Sequence, residues 1–335
     1  MDGSDVTARQ AAQVARRESS GRPAPWPVGF SHIALLYRDG AEYLRWAAAI
    51  AADASRAGAP LHILVPSPAM RATREALGGP TRRLLVADMA ELGRNPARII
   101  AAGLAFADDH PGQHVYCLWE PAWPGRSEAE MREVVKHEAL CNLALAEWAI
   151  TVLCLYDSTG LAGRVIGDAK RTHPAIIAGG RCQASAVYQG PGCLPPGCDD
   201  QLPPPAEDAE SVVFGGNLRL VREFSARHAR AAGLHPDRIS DLVLAVSEIA
   251  ANSLGHAAGG GVIRCWCTNS ELLCQIEDSG QIGDPLAGRR YQSPEAAGGH
   301  GLWLTNRLCD LVETRTGPAG TTTRLHMRRR PVSRP

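Results

Sequence analysis

Short apolar runs of strand character alternate along the first half of the chain with longer stretches of helical period. His32–Tyr37, Leu61–Val65, Arg83–Ala87, His114–Trp119, Thr151–Tyr156 and Ala175–Ala178 read as strands. Between them, Ala41–Ala57, Pro96–Asp108, Glu128–Trp148 and Leu161–Arg171 place apolar residues at helical spacing. Strands alternating with helices of this length predict an α/β domain over residues 29–180, doubly wound about a largely parallel sheet. Residues 1–28, rich in Ala, Arg and Pro and without periodicity, read as a disordered leader. From 181 to 210 the pattern dissolves, and GPGCLPPGCDDQLPPP reads as an interdomain linker. A second domain, 211–330, has a different order: two helices, two adjacent strands, a Gly-rich loop, a helix and two final strands. Elements segregated in this way predict an α+β sandwich with helices on one face of a mixed sheet.

Composition changes this picture little. A chain of 335 residues holds two domains with proper cores, and 45% hydrophobic with 21% charged residues is ordinary for a globular protein. Lys+Arg and Asp+Glu are equal at 35 each, which gives no electrostatic reason to expect nucleic acid as a direct partner. The basic end, Arg328 to Arg330 with Arg334, reads as a solvated tail. Met1–Gln10 has no apolar segment of a signal peptide, and the most apolar stretch, Ala139–Tyr156, is interrupted by Asn142 and Glu147. The expectation is a cytoplasmic protein with no membrane span. Of the ten cysteines, Cys117, Cys154 and Cys274 lie in apolar runs and read as packed free thiols.

Candidate chemistry begins in DRISDLVLAVSEIAANSLGHA, Asp237–Ala257. Leu242, Val246 and Ile249 define a buried stripe, while Glu248, Asn252 and His256 stand four apart along another face. A carboxamide can offer a neutral oxygen to Mg²⁺, and a carboxylate one turn away can orient or deprotonate a hydroxyl. The same spacing also fits a helix with a solvated polar edge. Two strands, Val262–Thr268 and Leu272–Glu277, then run into Asp278-Ser279-Gly280, where an acid at a strand end can accept a hydrogen bond from the amine of adenine. Gly298-Gly299-His300-Gly301 opens an apolar helix, Leu302–Leu311, whose backbone N–H groups can approach phosphates. Finally, Gly320-Thr321-Thr322-Thr323 precedes the last strand, where a hydroxyl could face the base.

In this order and at these separations the four pieces resemble the nucleotide-binding boxes of GHKL (Bergerat) ATPases. The phrasing SEIAANSLGHA with GGHGLWLTNRLCD looks like the anti-sigma factor serine kinases. The resemblance implies that Glu248 is the general base and Asn252 the Mg²⁺ ligand. It also implies that Asp278 binds adenine, with Gly280, Gly299, Gly301, Leu302 and Thr322 contributing to the ATP site. It further implies serine/threonine phosphoryl transfer to an anti-anti-sigma-type protein, capture of a sigma factor, and a possible homodimer. Two positions depart from the family pattern. Ile282 stands where a second glycine follows the first box glycine, with Gly283 after it, and His300 stands where Arg or Leu is common. Two other readings remain open: a protein-binding adaptor, with ATP as a conformational ligand or with none, and a sensor histidine kinase. For the latter the nearest acceptor is His228, which lies inside a helix of the domain itself.

The first domain has no phosphate-cradling G-x-x-x-x-G-K-[ST] motif. GFSHIALLY, HVYCLWEPAW, VLCLYDSTGL and THP are similar to the MEDS sensory domain, which implies a regulatory α/β unit for an unidentified small-molecule signal. His32 reads as a ligand contact or a hydrogen-bonded core histidine. Glu120 and Asp157, after strands, read as binding residues or as caps. Cys182, Cys193 and Cys198, with His173 nearby, could bind a metal or respond to oxidants, although their spacings match no standard zinc pattern.

Overall fold

The computed structural model describes residues 29–77, 83–256, 259–291 and 300–329, so the leader 1–28 lies outside it. The chain divides into two units, residues 1–198 and 199–335.

The first unit runs β1 (Ser31–Tyr37), α1 (Gly40–Arg56), β2 (Leu61–Val65), α2 (Ser67–Ala76), β3 (Leu84–Asp88), α3 (Met89–Leu92), α4 (Ala97–Asp108), β4 (Val115–Trp119), α5 (Glu128–Ala144), β5 (Ile150–Asp157), α6 (Gly163–Thr172), β6 (Ala175–Ala178) and β7 (Arg181–Ala184). The seven strands are ordered β3-β2-β4-β5-β1-β6-β7, parallel throughout except that β7 pairs antiparallel with β6. Side chains alternate across a strand, so each strand feeds two cores. Ile33, Leu35, Ile63, Leu153 and Leu155 pack with Tyr43, Ala47 and Ile50 of α1. Facing the other way, His32, Cys154 and Tyr156 meet Glu138 of α5, and His62 stacks on Phe106 of α4. Both faces are covered, which is the doubly wound arrangement. Helix starts follow local chemistry. Asp39 caps α1 by accepting from the Glu42 N–H, and Ser127 with Glu130 forms a reciprocal capping box at α5.

The second unit runs β8 (Glu210–Phe214), α7 (Leu218–Ala231), α8 (Pro236–His256), β9 (Gly261–Cys267), β10 (Glu271–Asp278), α9 (His300–Leu308), β11 (Leu311–Gly317) and β12 (Gly320–Arg328). Its sheet, ordered β11-β12-β10-β9-β8, is antiparallel at every described pairing, which corrects the mixed sheet expected above. Val221, Leu242, Val246 and Ile249 of the helices bury against Ile263, Leu272, Ile276 and Leu325 of the sheet. Fully burying each such side chain contributes roughly 1.5–3 kcal/mol. Arg238, at the start of α8, donates to the Leu308 carbonyl and to Asp310 Oδ2, both at 2.7 Å, fastening the end of α9.

The opposite face of this sheet is polar. His326 lies between Glu271 and Glu313 at 3.0 and 3.1 Å, and Arg324 donates to Gln275 Oε1. Arg324 and Arg315 also donate to the carbonyls of Pro203 and Asp200. Part of the segment read as linker is therefore strapped onto this sheet, its proline-rich backbone offering acceptors without competing donors. Arg329 is likewise no solvated tail residue: its Nε donates to the Ala232 carbonyl at 2.9 Å. None of the described helices is long and apolar enough to cross a membrane.

Candidate functional site

Helix α8 presents two rows of side chains of different burial. Leu242, Ala245, Val246, Ile249, Ala250 and Ser253 are buried, while Glu248 and Asn252 flank this stripe half-buried. The buried row ends in chemistry, because the Ser253 hydroxyl donates to Asp278 Oδ2 at 2.6 Å. Asp278 is the last residue of β10, and its other oxygen accepts from the Gly280 N–H at 2.7 Å. A carboxylate has about four lone-pair directions, so both bonds leave it able to accept a further donor. Thr321 Oγ1 donates to the Gly280 carbonyl at 2.8 Å, closing this turn from β12.

A third edge comes from α9. Gly301, in its first turn, lies so close to α8 that a β-carbon there would stand 2.8 Å from Glu248 Oε2 and 3.4 Å from Asn252 Nδ2. A side chain at this position would have to displace the Glu248 carboxylate, while it would meet Asn252 only at ordinary contact distance. Leu302 is 7% exposed and its side chain belongs to the core, so it does not offer that side chain to a ligand. The segment after β10 is held by Gly288, with φ +72°, whose carbonyl accepts from Asn306 Nδ2 at 3.1 Å. A β-carbon at Gly288 would meet Leu302 Cγ at 2.6 Å. One at Gly320, with φ +123°, would collide with the Asp278 carbonyl oxygen.

The fold thus gathers Glu248, Asn252, Asp278, Gly280 and Gly301 around the ends of α8, β10 and α9. Gly299 lies outside the described residues. Thr322 is placed differently. Register pairs Asp278 with Thr321 and Glu277 with Thr322, so Thr322 points to the opposite face, alongside Glu277 and Arg315. The hydroxyl on the Asp278 face is that of Thr321. Sequence reasoning also missed Ser253 and Asn306; a serine one residue after Asn252, turned toward the buried stripe, was the available signal for the first. Ile282 packs against the core, and its N–H donates to Thr316 Oγ1 at 3.1 Å. His228 Nδ1 sits 2.9 Å from the Phe224 carbonyl within α7, a local helix contact.

In the first unit, Glu120 follows β4, is 5% exposed, and accepts from the Tyr37 hydroxyl at 2.8 Å. Burial pushes its carboxyl up to about 7, the Tyr37 bond opposes this, and the charge of Asp157 adds to the rise. Asp157 itself accepts from the N–H groups of Thr159 and Gly160, which is a turn role. Among the described residues, Cys182, Cys193 and Cys198 join no metal-capable cluster, whereas His32 and His173 converge on Glu138.

Residues 31–174 match the family model of MEDS, the MEthanogen/methylotroph, DcmR Sensory domain, and residues 215–327 match that of the Histidine kinase-like ATPase domain. No curated protein matches the chain. Eighteen chains of solved structures match, among them the crystal structure of the RsbU and RsbW domains of Rv1364c from Mycobacterium tuberculosis. That likeness is at 20% identity with a TM-score of 0.29, covering 37% of this chain and 33% of that one.

Proposed function

On the premise that this chain carries a MEDS domain followed by a histidine kinase-like ATPase domain, we propose that it is an ATP-binding anti-sigma regulatory factor. In this reading the second domain phosphorylates a serine or threonine of an anti-anti-sigma-type protein and alternatively holds a sigma factor. The first domain, responding to a small-molecule signal, controls the choice. The observation that carries the reading is the contact of Gly301 with Glu248 and Asn252, which joins a helix N-terminus to a carboxylate and a carboxamide.

The donor set fits Mg-ATP. Asn252 Oδ1 is the neutral oxygen to hold Mg²⁺, and the backbone N–H groups at the start of α9 suit phosphate oxygens. Asp278, fixed by Ser253 and Gly280, keeps acceptor capacity for the adenine amine. When bound, the nucleotide supplies the γ-phosphoryl group. Glu248 then takes the proton of the attacking hydroxyl, and the remaining residues act by positioning and charge neutralisation.

Calorimetric titration of the full chain with ATP in Mg²⁺, beside Asn252→Ala, tests the site. Mg²⁺-dependent binding that collapses in the variant supports it, and a folded wild-type protein without binding refutes it. Transfer of labelled phosphate to a cognate protein, abolished in Glu248→Gln, tests the chemistry. The placement of Ile282 against the core, in the position of a family glycine, favours a second reading, an ATP-gated adaptor without turnover. Binding without transfer would select it.

A further inference from the structure

One cluster in the first unit has no part in the proposed phosphoryl transfer. His32 on β1 and Cys154 on β5 project from the same sheet face toward Glu138 of α5, and His173 follows directly after α6. All four are at most 1% exposed. Glu138 Oε2 lies 3.0 Å from His32 Nε2, 3.4 Å from Cys154 Sγ and 3.5 Å from His173 Nε2, and Cys154 Sγ is 3.4 Å from His32 Nε2. A tetrahedral set of N, O and S ligands with bonds of about 2.0–2.3 Å has its ligand atoms roughly 3.3–3.7 Å apart. The observed separations lie close to those edges.

The outer contacts orient both rings inward. Asn142 Nδ2 donates to the Thr172 carbonyl at 2.8 Å, which leaves its Oδ1 to accept from His32 Nδ1 at 3.2 Å. His173 Nδ1 is 2.8 Å from the Ala169 carbonyl, which only accepts, so that nitrogen carries the proton. Each Nε2 is thereby turned toward the cluster, and that of His173 is buried without a hydrogen-bond partner. Tyr156 donates to Glu138 Oε1 at 2.7 Å, leaving Oε2 for the centre. An N–H tied to a carbonyl or carboxamide behind each ring, and a tethered carboxylate, are what orient metal ligands.

We propose that His32, Glu138, Cys154 and His173 form a closed, four-coordinate site for a divalent metal of the zinc class inside the sensory domain. Two nitrogens, one oxygen and one sulfur suit Zn²⁺. With four protein ligands and no open position, the metal has a structural or metal-sensing role and catalyses nothing. Binding forms the S–metal bond and breaks the S–H bond, releasing one proton to solvent. The dication with one thiolate and one carboxylate then gives a neutral centre, as full burial requires.

The test uses the full chain, stripped by chelator and titrated with Co²⁺. The expected result is one Co²⁺ per chain, with visible bands of a tetrahedral site and a thiolate-to-cobalt charge-transfer band. Zn²⁺ should displace it, with release of about one proton per metal bound. Cys154→Ser and Cys154→Ala should each abolish the charge-transfer band, and His173→Gln should weaken binding at least tenfold. Variants of the exposed thiols, Cys193→Ser and Cys267→Ser, should keep both. Wild-type protein that takes up no stoichiometric Co²⁺, or a charge-transfer band that survives in either Cys154 variant, overturns the proposal. The first of these outcomes needs no variant to fold.

Discussion

Replacing Glu120 by Gln should make the first unit more stable at neutral pH and leave it nearly unchanged near pH 4.5. The native carboxyl titrates at about 7 instead of 4.5, chiefly because burial disfavours its charge. Between those two values the folded chain retains a proton that the unfolded chain has released. Stability therefore falls as pH rises through the window, and the loss is complete above about 7. At about 1.4 kcal/mol for each pH unit, the loss reaches about 3 kcal/mol. Gln keeps an oxygen to accept from the Tyr37 hydroxyl, at 2.8 Å in the native protein, and has no proton to lose. The difference between variant and wild type should grow from near zero at pH 4.5 to about 3 kcal/mol at pH 7.5. Urea denaturation of both proteins across this range, followed by the fluorescence of buried Trp119, measures it. A difference that does not change with pH would show that the Glu120 proton is not retained, and the electrostatic account would be wrong.

Three further outcomes follow from the second unit. Gly301→Ala, which would place a β-carbon 2.8 Å from Glu248 Oε2, should lower ATP affinity at least tenfold by calorimetry while moving Tm by no more than about 3 °C. Unchanged affinity would remove the start of α9 from the nucleotide. Asp278→Asn should cost about 1.5–3 kcal/mol of ATP binding through the lost charge-assisted hydrogen bond, and wild-type affinity in the variant would exclude Asp278 as the base contact. Arg238→Met removes the guanidinium partner of the buried Asp310 carboxylate and should destabilise the second unit by about 2 kcal/mol, discounted for the partial exposure of Arg238. An unshifted denaturation midpoint would contradict this.

How far the sequence could be read depended on whether the information was local. The strands Leu61–Val65 and Ala175–Ala178 coincide with those observed, since each is a short apolar run between breakers. Helix α2 is not among the expected helices; it opens on Pro66 and Pro68, at a helix start where proline needs no N–H partner. Helix α5 ends at Ala144 instead of continuing to Trp148, whose N–H turns back to the Leu145 carbonyl. That Glu248 and Asn252 share a helix face is legible from their four-residue spacing, since the information is local. The choice between Thr321 and Thr322 depends on pairing with β10, a non-local register that a run of three threonines cannot reveal. The same holds for His32, Glu138, Cys154 and His173, which no short motif connects.

Gly320 shows how such distant dependence shapes sequence tolerance. A β-carbon on this turn residue would overlap the Asp278 carbonyl, so any side chain there would push on the end of β10. Drift at the tip of the last hairpin would therefore be felt as a displaced acid at the candidate nucleotide site. The acid is guarded by two positions, its own and a glycine forty-odd residues further along the chain.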